Sequence, residues 1–262
     1  MGGILLKKKN CGKKILKVIS IILAVIIILG VAGTVVNAVG RNAQLKNVDN
    51  FNTVKYDKQL TPVQDSDNVW TFTTDDDFRV MQLTDVHIGA GWMSSEKDTM
   101  ALNAVASMIT VEKPDLVIVT GDIVYPVPFQ AGTFNNMKSA EIFATLMENL
   151  QVYWLPVFGN HDTESYSKYT RADISEFYSD EKWSYCLFND NFEDNIDGYC
   201  NTVVNVKNTD GIITQSLYTF DTHSYVDGDY LGLFWKYDNI HDNQVEWYKN
   251  NVKKWWRNNR RV

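Results

Sequence analysis

Residues 116–122 read LVIVTGD, a continuous apolar run that ends in glycine and aspartate. A run this short and this apolar is typical of a strand buried on both faces of a parallel sheet. Strand-like segments also lie at residues 78–85 and 152–158, and helix-like segments at residues 94–115 and 137–150 separate the three strands. This alternation predicts an α/β fold with parallel βαβ units and right-handed crossovers.

Each predicted strand is followed by a short polar motif; the motifs are Asp85-x-His87, Gly121-Asp122 and Gly159-Asn160-His161-Asp162. Because the carboxyl ends of parallel strands meet at one rim of a sheet, we expect these side chains to lie close together. Glycine and aspartate are ordinary turn formers, so no single motif is specific. Together the motifs would crowd acids on one rim at an energetic cost that a bound divalent cation removes.

The predicted rim combines carboxylate, imidazole and amide donors. Such a mixture of oxygen and nitrogen ligands is typical of Mn²⁺, Fe or Zn²⁺. The carboxylate of Asp122 can bridge two cations, and two cations about 3.5 to 4 Å apart can clamp a phosphoryl group and lower the pKa of a bound water. The donor set therefore favours chemistry on phosphate esters.

In this order and at these spacings, the three motifs resemble the first three signatures of the calcineurin-like metallophosphoesterases, the superfamily that includes the purple acid phosphatases. The resemblance implies a four-layer α/β/β/α sandwich with a dinuclear centre of two divalent metal ions. By the family pattern, Asp85 and His87 bind the first metal. Asp122 bridges the two metals, and Asn160 binds the second.

The same resemblance implies the reaction and its catalytic residues. His161 would contact the substrate or protonate the leaving group, and Asp162 would orient His161. The implied reaction is hydrolysis of a phosphate ester by a metal-bound hydroxide, with a phosphorylated small molecule or a phosphoprotein as substrate.

The chain also departs from the family pattern. In the family a further histidine and then a Gly-His-x-His element complete the metal shells, whereas only His223 and His241 follow the third motif here. His223 ends a strand-like segment, so a metal-ligand role stays open for it, although a structural role is favoured. We therefore expect residues 78–262 to be a truncated catalytic domain. The alternative is an inactive binding module that holds at most one weakly bound metal.

The beginning of the chain predicts a membrane anchor. Residues 18–36 contain no charged side chain and are just long enough to cross a hydrocarbon core of about 30 Å. Six lysines precede them, so the positive-inside rule predicts a cytoplasmic segment at residues 1–17 and a transmembrane signal-anchor at residues 18–39. We expect a single-pass protein of the cell membrane whose catalytic domain is extracellular. The alternative is secretion after signal cleavage near Ala38.

The rest of the chain divides into two predicted parts. Residues 40–77 are polar and predict a linker that includes one strand, and residues 78–262 predict the metallophosphoesterase domain. Pro156 predicts that the third strand lies at an edge or ends there. The remaining predicted elements are strands near residues 69–73, 202–206 and 216–223 and an amphipathic helix at residues 243–259.

The net charge argues against one class of partner. The chain carries −7, and removing the six lysines of its first 17 residues leaves −13 for the remainder. A domain this acidic repels phosphate backbones, so we expect no nucleic-acid partner.

Cys186 and Cys200 would share an oxidising compartment outside the cell. A disulfide between them is one prediction, and two free buried thiols are the alternative that the sequence leaves open.

Overall fold

The computed structural model describes residues 4–65, 69–189, 196–226 and 236–259. The helices are α1 (Ile4–Val48), α2 (Ser95–Glu112), α3 (Pro128–Ala131), α4 (Asn136–Leu150), α5 (Arg171–Tyr178) and α6 (Asp242–Asn259). The strands are β1 (Val63–Gln64), β2 (Trp70–Thr73), β3 (Val80–Leu83), β4 (Leu116–Thr120), β5 (Trp154–Val157), β6 (Thr202–Lys207) and β7 (Ile213–Thr219).

The predicted βαβαβ unit forms a three-stranded parallel sheet in the order β3-β4-β5. Because strand side chains alternate between faces, Val117 and Val119 of the central strand pack into the core formed with α2 and α4. Leu116 points to the opposite face, into a second core. Pro156 lies in β5, which is an outer strand of this sheet as predicted.

A second sheet has four strands in the order β1-β2-β6-β7. The strand β6 pairs parallel with β2 and antiparallel with β7. The core between the two sheets contains Phe72 of β2, Leu155 of β5 and Val204 of β6. On the outer face of the second sheet, Trp255 of α6 packs against Val203. The layers therefore follow the predicted α/β/β/α order.

The helix α1 is 45 residues long and extends beyond the predicted signal-anchor. Its segment Gly12–Val48 is the one helix in the described part of the chain that is long and apolar enough to cross a membrane, by length and composition. The linker is predicted to begin at residue 40, but residues 40–48 are helical and continue α1. Gln44 and Val48 are buried there, and Gln44 donates to the backbone carbonyl of Ser95 at 2.7 Å.

Cys186 and Cys200 are free thiols in the structure. Both are buried in the core beneath α2 and α4. Cys200 Sγ accepts a hydrogen bond from the backbone N–H of Phe158 at 3.4 Å. Burial raises the pKa of both thiols. The structure therefore has no disulfide between Cys186 and Cys200, and it contains the alternative that the sequence left open.

Candidate metal centre

The first two motifs lie on adjacent loops at the carboxyl ends of β3 and β4. The backbone N–H of Asp85 donates to the carbonyl of Gly121 at 3.2 Å, and that of His87 donates to the carbonyl of Asp122 at 3.0 Å. Asp85, His87 and Asp122 have φ angles of 56°, 56° and 54°. Non-glycine residues rarely adopt this left-handed conformation, and such strained residues cluster at functional sites. The loops thus hold three of the predicted ligands in a costly but defined geometry.

His87, Asp122 and His161 each offer one ligand atom, and these atoms all lie within 4.8 Å of one another. His87 Nε2 lies 3.5 Å from a carboxylate oxygen of Asp122 and 3.7 Å from one of Asp85. Both distances exceed that of a good hydrogen bond. Nε2 is buried and has no hydrogen-bond partner among the described residues. A divalent cation between this nitrogen and the two carboxylates would satisfy all three groups, so the residues fit the metal that the sequence predicts.

The two carboxylates differ in exposure and therefore in their surroundings. The side chain of Asp85 is 59% exposed, whereas that of Asp122 is 12% exposed. Burial raises the pKa of the Asp122 carboxyl, but the imidazoles of His87 and His161 and a backbone hydrogen bond from His161 outweigh burial and hold this pKa below its ordinary value. Asp122 is therefore an ionised and largely buried carboxylate, which suits the bridging role that the sequence predicts.

Two glycines bring the second and third motifs into contact. Gly121 has a φ of +99°, and a Cβ at this position would lie 2.7 Å from the Cα of Gly159. A Cβ on Gly159 would lie 2.2 Å from Oδ1 of Asp122. That oxygen instead accepts the backbone N–H of His161 at 2.8 Å. Glycine is required at both positions because the loops approach more closely than any side chain allows.

The orienting partner of His161 is Glu164, and the structure corrects the role predicted for Asp162. His161 Nδ1 lies 2.7 Å from Oε1 of Glu164. The hydrogen bond to Glu164 raises the pKa of His161 despite partial burial. The pairing through Nδ1 leaves Nε2 of His161 available for a ligand or substrate.

Asp162 has a structural role instead. Its buried carboxylate accepts backbone N–H groups of Gly159 at 2.7 Å and of Asp122 and Val124 at 3.0 Å. Burial raises the pKa of Asp162 to about 6, although these hydrogen bonds favour the charged form. Asp162 therefore ties the second motif to the third through backbone N–H groups, whereas Glu164 makes the hydrogen bond to the imidazole.

Asn160 lies on the same loop as His161. Its amide donates to the hydroxyl of Tyr225 at 3.0 Å, and that hydroxyl lies 3.4 Å from Oε1 of Glu164. The amide oxygen of Asn160 is the atom that a cation would bind. Tyr225 thus links the predicted ligand Asn160 to the carboxylate that orients His161.

Three residues near the site escaped the reasoning from sequence. The ring of Tyr125 stacks on His87 with centroids 4.6 Å apart and meets the ring of His161 edge-on at 4.8 Å. Tyr125 follows Asp122 by three residues, as Glu164 follows His161, so short spacing to a motif residue was the available signal. Tyr225 carries no such signal, because 65 residues separate it from Asn160.

His223 lies in a different group from the rim residues. One ligand atom each of His223, Asp238 and His241 lies within 4.8 Å of the others, and no member of this group belongs to the three motifs.

A sequence profile of the calcineurin-like phosphoesterases matches residues 78–262. Two Arabidopsis thaliana relatives are named probable inactive purple acid phosphatases 14 and 28. Each is 28% identical to this chain, over 207 residues (70% of this chain, 48% of the relative) and over 198 residues (67% and 48%). The phosphatase DCR2 of Saccharomyces cerevisiae is 28% identical over 181 residues, or 62% of this chain and 30% of its own. The chain therefore spans about half the length of the first two relatives. Its match to the family profile covers most of its length, and the chain belongs to the calcineurin-like phosphoesterase family.

Proposed function

We propose that this chain carries a membrane-anchored, metal-dependent phosphoesterase that hydrolyses phosphate esters at a dinuclear centre. The observation that carries the proposal is the buried Nε2 of His87, which has no hydrogen-bond partner among the described residues and lies between two carboxylates. The family match makes phosphate-ester hydrolysis the natural reaction for such a centre.

Asp85, His87, Asp122 and Asn160 would hold two divalent cations. When bound, the cations supply positive charge for the phosphoryl oxygens and lower the pKa of a coordinated water. The oxygen and nitrogen donors of these residues suit Mn²⁺, Fe or Zn²⁺.

His161 would donate a proton to the leaving-group oxygen from Nε2. Glu164 supports this role in two ways, because it fixes the ring through Nδ1 and raises the pKa of His161. A raised pKa keeps more of the imidazole protonated near neutral pH, which a general acid requires. The hydroxyl of Tyr225 contacts Glu164 and so restrains the carboxylate that positions His161.

We also propose that α1 is an uncleaved membrane anchor and that the domain is extracellular. The six lysines at the start of the chain favour a cytoplasmic N-terminus. Asn37, next to the small-residue site at Ala38, donates to the carbonyl of Gly132 at 2.7 Å and accepts the backbone N–H of Trp92 at 3.2 Å. These contacts hold the end of the predicted span against the domain, an arrangement that an uncleaved chain keeps and a chain cleaved after Ala38 loses.

The substrate would be a phosphorylated small molecule or a phosphoprotein. The remainder of the chain carries −13 once its first 17 residues are set aside, which disfavours a nucleic acid. The second candidate function is a binding module with at most one weakly held metal, which the names of the two Arabidopsis relatives favour.

The test is hydrolysis of a chromogenic phosphate monoester by the full chain in detergent, stripped of metal and then supplied with Mn²⁺ or Zn²⁺. We expect activity that a chelator removes and that Asp122→Asn and His161→Asn reduce by at least about 100-fold. Asp210→Asn, in an exposed turn, is the matched control. Activity that survives chelation would overturn the metal dependence. Absence of activity from the metal-loaded chain would overturn the proposal and favour the binding module.

A further inference from the structure

A second cluster of ligating side chains, which includes no residue of the three motifs, lies where the segment after β7 meets the start of α6. His223 follows β7, Asp238 lies shortly before α6, and His241 immediately precedes that helix. One ligand atom of each residue lies within 4.8 Å of the others. The cluster thus joins segments that are separate in the chain.

His241 has the environment that metal-ligating histidines usually have. Its Nδ1 lies 2.6 Å from a carboxylate oxygen of Asp197, and its Nε2 lies 3.3 Å from both carboxylate oxygens of Asp238. A carboxylate that holds one ring nitrogen fixes the tautomer and directs the other nitrogen toward a cation. Asp197 fills this outer position, which leaves Nε2 of His241 and the carboxylate of Asp238 as ligands.

His223 supplies the independent observation. Its Nε2 is shielded from solvent and has no hydrogen-bond partner within the described ranges. Its ring stacks on that of His241 with centroids 4.3 Å apart. Leaving such a nitrogen unsatisfied is costly, and each such atom in a folded protein calls for a partner. The same sign, a buried imidazole Nε2 without a partner, marks His87 at the rim.

Charge and access also suit a cation. Asp197 and Asp238 bring two carboxylates to two imidazoles, so a divalent ion would neutralise the cluster. A surface cavity of about 500 Å³ lined by Asp197 and His241 adjoins it and gives a hydrated ion a route inward. Two imidazoles and a carboxylate are a donor set typical of Zn²⁺.

We propose that His223, His241 and Asp238 form a second metal site, with ligands distinct from those of the rim, that binds Zn²⁺ or a similar first-row cation. Asp197 orients His241 from outside the coordination sphere. The bound ion cross-links the end of β7 to the start of α6 and so fastens the outer helix to its sheet. This role is structural and does not depend on hydrolysis at the rim.

The test uses the full chain in detergent with Asp85→Asn and Asp122→Asn, which disable the rim. After chelation, equilibrium dialysis against Zn²⁺ alone should find one bound ion per chain, and Zn²⁺ should raise the Tm. Adding His223→Asn or Asp238→Asn should abolish both effects. Adding Asp197→Asn should weaken affinity by about 10 to 100-fold, the usual effect of removing an outer carboxylate. Asp210→Asn should change neither.

The proposal is overturned if the rim-deficient chain binds no Zn²⁺, or if it retains its ion with unchanged affinity after either His223→Asn or Asp238→Asn. Tryptophan fluorescence without metal shows whether each variant folds. If His223→Asn does not fold, Asp238→Asn decides the result. This substitution replaces the carboxylate by an amide of nearly the same size.

Discussion

Arg171 at the start of α5 holds the third motif in place. Replacing Arg171 by methionine should lower the free energy of unfolding of the domain. Its guanidinium forms an ion pair with Asp221 and donates to the carbonyl of Gly159 at 3.0 Å. The side chain of Asp221 is 0% exposed and also accepts the backbone N–H of His223 at 2.9 Å. This pair therefore fastens the loop of the third motif to the end of β7.

The magnitude follows from the burial of Asp221. Arg171→Met keeps most of the apolar stem but leaves a buried carboxylate without its cation. Breaking a buried pair from one side typically costs about 3 to 5 kcal/mol. Lys249→Met is the matched control, because its pair with Glu246 is exposed on both sides and should contribute little to stability.

The assay is guanidinium unfolding of the full chain in detergent, followed by tryptophan fluorescence. All eight tryptophans lie outside α1, so the signal reports the domain alone. A double variant with Asp221→Asn should recover at least about 1 kcal/mol relative to the sum of the single effects, because it removes the orphaned charge. A loss below about 1 kcal/mol for Arg171→Met, or strictly additive effects, would refute this reasoning.

Three further predictions concern the site and its supports. Gly159→Ala should abolish metal-dependent hydrolysis and cost about 1 to 3 kcal/mol in unfolding, because its Cβ would lie 2.2 Å from Oδ1 of Asp122; full activity would contradict the close approach. Glu164→Gln should lower the pKa of His161, so the fall in kcat on the alkaline side of the pH profile should shift to lower pH; an unchanged profile would exclude the pairing. Asp98→Ala should cost at least about 1.5 kcal/mol in chemical denaturation, because the buried carboxylate accepts three hydrogen bonds that hold the loop after β3; a neutral result would be inconsistent with these contacts.

The parallel sheet and the position of its motifs could be predicted from the sequence. Each of its strands is a short apolar run followed by a polar turn, and both signals are local. Pro156 could be assigned to an outer strand for the same reason, because proline removes a ladder hydrogen bond whatever surrounds it.

The orienting acid could not be predicted in this way. Asp162 and Glu164 both follow His161 closely, and only the path of the turn decides which carboxylate meets the imidazole. The pair of Arg171 with Asp221 spans 50 residues and leaves no periodic signal.

The end of α1 shows a different limit. Hydropathy locates a membrane-crossing segment, but it does not report where the helix itself ends. Residues 40–48 are more polar than the segment before them, yet they remain helical because Gln44 and Val48 pack on the domain.

The most direct test of the metal centre is a count of bound cations in the full chain carrying Asp238→Asn, which removes the second cluster. With Mn²⁺ or Zn²⁺ supplied after chelation, we predict two cations per chain held at the rim. Adding Asp122→Asn should remove at least one of them, because that carboxylate would bridge both. An unchanged count in the Asp122→Asn chain would contradict the assignment of the rim as the metal centre.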